Sequence, residues 1–449
     1  MEGVMNELFT MTAMDLARAI RDKRLGVEEL TRAYMERIDK FDRGEGLNTV
    51  AELNSNAIAQ ARKMDSIKTG RNGAMFGLPV LIKDNIDVSG LHTTAGSLAL
   101  MDNIAKNDAP IVANLHRNGA LVLGKTNMTE FANYTGSNMP AGYSSHGGQV
   151  KNAYDRTKSP GGSSSGSAVA MSAGFCSAAV GTDTSFSIVG CVTENGVTGL
   201  KPAHGALSSR GIIPIAKTLD SAGPITHNLT DALLVYSCMK DDALQPVEPV
   251  SPENLHLAVN IFNRDQVSKA QLSRYEALLS VLKCDHVQVT EVIQAYTEKQ
   301  CDIMRCEFQH DLEEYLSHSK AQRRTLEEIV GYYEKNPEQM MKYGNAYLRG
   351  ALDGAPGKLD DIAYIEALSE RKRLRTQIIE SIRGYNACLM TGPTNIMHFI
   401  GLPSLALWLC MADDGTPRGM ILYGADERRL ISAALTIEQY CMPITMPKL

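Results

Sequence analysis

Two periodicities alternate along this chain. Near the start, apolar residues recur every three to four positions: first from Thr12-Ala-Met-Asp15 to about Gly26, then from Val27 with Leu30, Tyr34 and Ile38 on one face. The spacing predicts two amphipathic helices, the first opened by a capping-box-like Thr12. Short, almost wholly apolar runs follow: Leu47 to Leu53, Gly77 to Lys83, Leu121 to Asn127 and Cys176 to Val180. Their length and their turn-forming borders read as buried strands. Between them, Ala57 to Ser66 and Asp108 to Asn118 keep the helical period. Gly/Pro-punctuated strands continue over 196–202, 208–214 and 220–224.

From about Pro246 to Arg383 the texture changes to charged and mostly helical, after a strand at Leu255 to Phe262. The end returns to strands from Ala387, Leu402 and Gly419 and closes on a helix, Asp426 to Tyr440. Alternation of this kind predicts an α/β fold: one large domain over 1–449, with a mixed central sheet surrounded by helices. The basic runs Lys320 to Arg324 and Arg371 to Arg375 lie among acidic residues and read as solvated helix faces.

Composition narrows the function classes. A net charge of −6 gives no basic surface for nucleic acid or an anionic membrane. No apolar run approaches the roughly 18 residues that span a bilayer. Nine scattered cysteines, an odd number without C-x-x-C pairs, fit reduced thiols. The start lacks a signal peptide's basic and apolar regions, so a cytoplasmic enzyme is expected.

The chemistry concentrates in two Gly/Ser segments. PGGSSSGSA from Pro160 reads as a tight loop opening a small-residue helix over Ser167 to Ala173; VGTDTSFSIV from Val180 ends a strand in a second hydroxyl-bearing turn. A serine needs a base to act as nucleophile near neutral pH. GSSSG at Gly162 matches the G-x-S-x-G elbow literally, but His204, His227 and His398 read as core or surface residues. A lysine closing an apolar strand fits better, because burial lowers its pKa. Two lysines qualify, Lys83 in GLPVLIKDN and Lys125 in LVLGKTN.

Those motifs resemble the amidase signature family of Ser-Ser-Lys amide hydrolases. GLPVLIKDN, the PGGSSSGSA loop and GTDT before Ser187 stand in the family's order, with Ser163 and Ser187 24 residues apart. Likeness extends from the first helix to about Thr230 and resumes near Met390; the core is about 70–230 and 387–449, and 246–383 is a variable helical cover. Within the family, GKTNMTEFAN from Gly124 and the triple serine resemble the peptide amidase-like bacterial branch. The resemblance implies Lys83 as base, Ser163 as relay after a cis Gly162–Ser163 bond, and Ser187 as nucleophile. It further implies an oxyanion hole of backbone N–H groups from Thr184, Ser185, Phe186 and Ser187, substrate contacts from the loop Phe131 to Gly148, and no metal or cofactor. The substrate implied is a small-molecule or peptide-like primary amide, cleaved to carboxylate and ammonia or amine through an acyl-serine by a monomer or homodimer.

Three positions depart from the pattern. Phe186 and Ser185 replace the usual Gly and Gly or Asp, and Cys191 replaces a Pro. A phenylalanine adopts positive φ only at a cost, so either the acyl pocket is reshaped or the oxyanion hole is damaged. Cys191 reads as a buried filler, and Arg210 and Asp220 as a structural pair. Val189 stands where carboxylate-binding branches carry Arg. Two alternatives therefore stay open: the amidase subunit of a glutamine-dependent tRNA amidotransferase, and an impaired amide-binding pseudo-amidase.

Overall fold

Uniformly apolar strands need cover on both faces, and the computed structural model supplies it. It describes residues 8–68, 70–260, 267–282, 286–288, 298–354 and 359–449. The strands are β1 (Val50–Leu53), β2 (Pro79–Lys83), β3 (Leu121–Thr126), β4 (Tyr143–Ser144), β5 (Gly148–Gln149), β6 (Ala178–Asp183), β7 (Thr198–Lys201), β8 (Ser221–Thr226), β9 (Leu257–Asn260), β10 (His286–Gln288), β11 (Ala387–Met390), β12 (Ser404–Met411) and β13 (Pro417–Tyr423). Among the described residues, eleven form one sheet in the order β1-β3-β2-β6-β8-β7-β12-β13-β11-β9-β10, and β4 pairs with β5. Pairs β2/β3, β2/β6, β11/β9 and β9/β10 are parallel, while β6/β8, β7/β8 and β12/β13 are antiparallel, so the sheet is mixed.

Helices surround the sheet as their patterns require. Thr12 accepts the N–H of Asp15 to start the helix Ala13–Arg21, and the helix Val27–Phe41 buries Leu30, Tyr34 and Ile38. The helix Ser165–Ser172, two residues earlier than its sequence suggested, is buried over all eight residues. Small side chains let it lie close to the strands: a Cβ at Gly181 in β6 would come within 2.8 Å of the Ser164 Oγ. Among the described residues, no helix is long and apolar enough to cross a membrane.

Some expectations need correction. The first strand begins at Val50, because Asn48 turns the chain with φ 60° and donates to the Gly147 and Gln149 carbonyls. The stretch 208–214 is a loop with one bridge, Ile86 to Ile212. The basic runs are solvated helix faces only in part: Lys372 and Arg373 are exposed on the helix Ile362–Ile382, while other arginines of the runs bond backbone carbonyls. Arg323 and Arg324, between helices, donate to carbonyls of Ala99 and Ser319, each at 2.8 Å. Arg371 and Arg375, on the helix Ile362–Ile382, bond the Phe399 and Ile400 carbonyls at 2.7 and 2.6 Å. Guanidinium groups here satisfy carbonyls that helix ends leave unpaired. The strand expected at Leu255 to Phe262 is β9, and Phe262 lies outside the described residues.

Candidate active site

Because β2 and β6 are parallel neighbours, with Ile82 opposite Val180, both end at the same edge of the sheet. Lys83 closes β2 fully buried. Its Nζ lies 2.8 Å from Ser163 Oγ and Thr182 Oγ1, 3.0 Å from Ser164 Oγ and 3.3 Å from the Thr182 carbonyl. Burial lowers its pKa to about 7, against weaker opposing charges from Cys191, Asp183 and Asp220. Lys125, buried at the end of β3, faces elsewhere. Its Nζ donates to the His92 carbonyl at 2.7 Å and to Thr93 Oγ1 at 3.2 Å, and it lies 3.6 Å from Asp84. Geometry therefore separates two lysines that their strand patterns leave equivalent.

Ser163 follows a cis Gly162–Ser163 peptide, and its carbonyl accepts the Thr129 N–H at 3.1 Å. The next N–H, of Ser164, donates to the Ser187 carbonyl at 3.3 Å and ties the two Gly/Ser segments together. Ser164, the centre of the literal elbow motif, is buried and turned toward Lys83 and the Thr182 carbonyl. The histidines are occupied elsewhere: His204 and His227 bond the Lys217 and Met171 carbonyls at 2.8 and 2.9 Å.

After β6 the chain turns through Thr184, Ser185, Phe186 and Ser187. Among the described residues, none of these four N–H groups has a hydrogen-bond partner. The next two do: Ile188 and Val189 donate to Asp183 Oδ2 at 2.7 and 3.4 Å. Asp183 Oδ1 lies 2.9 Å from His398 Nδ1, and His398 Nε2 lies 2.9 Å from the Tyr423 hydroxyl. Burial opposes charge on Asp183, but His398, Lys201 and the Ile188 N–H together hold its carboxyl below the usual range. Phe186 is absent from the residues with positive φ, so its size does not strain the turn. The residue is 42% exposed, and its ring meets that of His398 edge-on, with centroids 6.2 Å apart. Cys191 is buried, as a filler should be, with Sγ 3.6 Å from the Pro160 carbonyl.

Ser163 and the turn open onto a cleft of about 420 Å³. Phe186, Ile215, Met304, Tyr134 and Tyr347 line much of it with apolar surface, and the helix Lys299–His318 forms one wall and adds Asp302 and Arg305, 3.5 Å apart. The expected contact loop divides. Phe131, Ala132 and Asn133 form a left-handed run, with φ 45°, 54° and 76°, that brings Ala132 to Tyr134 to the cleft. Tyr143 to Gly148 packs elsewhere as β4 and β5, where the Ser144 hydroxyl donates to Asn127 Oδ1 at 2.8 Å.

Several neighbours escaped the sequence reading. Thr182 and Ser164 lay inside recognisable motifs, but nothing in sequence links Gln300, on the variable cover, to Ser185. Asp220 does not pair with Arg210, which is exposed. Its carboxylate accepts Thr184 Oγ1 at 2.6 Å and the Ile215 and Ala216 N–H groups at 2.9 and 3.2 Å. Burial raises its pKa to about 7, so backbone and hydroxyl donors replace the expected ion pair. Among the described residues, His310, Asp311 and Glu314 bring potential metal-ligand atoms within 4.8 Å of one another. Lys217 engages both acids, Asp311 through its N–H at 2.8 Å and Glu314 through its ammonium at 2.6 Å.

A family model for amidases matches residues 29–259. The chain belongs to the amidase family. Its likeness to solved amidases runs the whole length: a peptide amidase from Stenotrophomonas maltophilia superposes with TM-score 0.91 at 30% identity, over 98% of each chain. An amidase family protein from Bacillus anthracis gives TM-score 0.91 at 29% identity, over 99% of this chain and 94% of that one. By contrast, a glutamyl-tRNA(Gln) amidotransferase subunit from Pseudomonas aeruginosa is 40% identical over 52% of this amidase and 47% of its own length. This amidase is a hydrolase acting on amide C–N bonds.

Proposed function

We propose that this amidase cleaves an uncharged carboxylic amide, small-molecule or peptide-like, through an acyl-Ser187 intermediate. The observation that carries the reading is the fully buried Lys83 Nζ, 2.8 Å from Ser163 Oγ and surrounded by hydroxyls. Ser164 donates its own proton to the Thr182 carbonyl at 3.0 Å, so it meets Lys83 with a lone pair. A neutral Lys83 then spends its N–H groups on Ser164 and Thr182, leaving its lone pair for the Ser163 proton. Ser163 takes the proton of Ser187, whose Oγ attacks the amide carbonyl. The four unpartnered N–H groups of the turn receive the developing negative charge. Returned along the same relay, the proton leaves with ammonia or amine, and water completes the cycle by attacking the acyl ester.

Full-length likeness to a peptide amidase supports a free-standing enzyme over an amidotransferase component, whose likeness spans half of each chain. A largely apolar cleft, in which Asp302 and Arg305 pair with each other, and Val189 support an uncharged substrate. In this reading the segments about 70–230 and 387–449 carry the chemistry, and 246–383 shapes substrate choice. Buried thiols such as Cys176 and Cys191 suit a cytoplasmic setting.

The test is intact mass after fluorophosphonate treatment. One adduct on the wild type and none on Ser187→Ala is the expected result. Folded wild type that stays unlabelled, while Phe186→Gly becomes labelled, would instead favour the impaired amide-binding form.

A further inference from the structure

Gln300 opens the helix Lys299–His318 that walls the cleft, yet its side chain is fully buried. Its Nε2 donates to Ser185 Oγ at 2.7 Å and to the Thr184 carbonyl at 3.4 Å, while its Oε1 accepts from Asn395 Nδ2. The whole amide is thus engaged with the turn and with the helix Asn395–Phe399. In a trans peptide, the carbonyl and the following N–H point in opposite directions. Holding the Thr184 carbonyl therefore fixes the direction of the Ser185 N–H. Two peptide groups further on, the Phe186 carbonyl accepts the Gly190 N–H at 2.9 Å, which fixes the Ser187 N–H in the same way. Alternate donors of the turn are aimed by carbonyl anchors: one is local, and the other lies 116 residues away on the cover.

We propose that Gln300 is a positioning residue for the oxyanion turn, gripping it through Ser185, which stands where the family pattern has a smaller or acidic residue. The inference rests on the acyl-Ser187 reading. It makes the cover more than a substrate wall, since a residue from the variable segment sets the geometry in which charge is stabilised.

Fluorophosphonate labelling tests this, because phosphonylation also develops an oxyanion at the turn. Gln300→Ala should lower the maximal labelling rate about ten- to hundredfold, somewhat less than loss of a whole donor. The inhibitor's apparent binding constant and the endpoint of one adduct per chain should stay unchanged, as a merely structural defect would not arrange. Ser185→Ala should lose part of the rate and Ser185→Thr should keep it. The double variant Gln300→Ala/Ser185→Ala should be no slower than Gln300→Ala alone, because the two groups share one contact. If Gln300→Ala fails to fold, the Ser185 pair decides, with equal rates for Ala and Thr overturning the proposal. Label confined to Ser187 with an unchanged rate in Gln300→Ala overturns this inference alone. Label that persists in Ser187→Ala overturns the nucleophile reading, and this inference falls with it.

Discussion

Lys83 and Lys125 end parallel neighbouring strands, one residue out of register, and both are fully buried. Read as strand ends, they are the same feature. Their partners differ. Hydroxyls and one carbonyl surround Lys83 within hydrogen-bond reach. Lys125 lies beside Asp84, a buried carboxylate that also accepts the Gly96 N–H at 3.2 Å and the Thr94 hydroxyl. Burial lowers both pKa values, and nearby acids pull the other way around both lysines, but Lys125 alone of the two has a carboxylate in direct reach, Asp84 at 3.6 Å. A buried amine among hydroxyls can exchange protons with them, whereas one facing a carboxylate braces the fold. Burial makes a lysine unusual, and its neighbours decide what it is used for.

The contrast is sharpest if each lysine is replaced in turn. Lys83→Met should slow fluorophosphonate labelling by about 10²–10⁴-fold, the range of a lost general base. Denaturant stability should change by less than about 1 kcal/mol, because Ser164 and Thr182 keep the partners they share with one another and with Asn85. Lys125→Met should do the reverse. Leaving Asp84 buried without its cation costs about 3–5 kcal/mol, read from urea unfolding, while the folded fraction labels at the wild-type rate. A Lys125 variant that folds well but cannot be labelled would break the comparison.

Motifs and hydrophobic period carried much of this into the sequence. Lys83, Ser163 and Ser187 sit in short segments whose Gly and Ser content betrays turns, and β2, β3 and β6 are apolar enough to be read directly. What stayed hidden depended on distant pieces of chain meeting. The Gln300 contact with Ser185 joins a helix of ordinary composition to a turn more than a hundred residues earlier. Asp220 looked like half of an ion pair because Arg210 is near in sequence, but three neutral donors satisfy it instead. Arg371 and Arg375 looked solvated because their sequence neighbours are charged, while the carbonyls they bond belong to the end of a short helix, 28 and 25 residues on. Periodicity reports which face an element buries, not which carbonyl waits on the other side.

The smallest expected effect concerns the titration that the comparison assigns to Lys83. With its pKa at about 7 instead of the ordinary 10.5, Lys83 takes up a proton as pH falls through 7 and ceases to be a base. Labelling efficiency should then be level above that point and drop about tenfold per pH unit below it. Asp220 titrates in the same range, raised to about 7 by burial, and it accepts the Thr184 hydroxyl at 2.6 Å. It could produce an acid limb of the same sign by losing its charge. Asp220→Asn removes that second titration while keeping an oxygen for Thr184. If Lys83 governs the limb, its midpoint stays in place in Asp220→Asn and only the plateau falls, by a few-fold. A limb that vanishes in Asp220→Asn would move the titrating role to the turn's carboxylate, and the difference between the two lysines would then be one of location and not of chemistry.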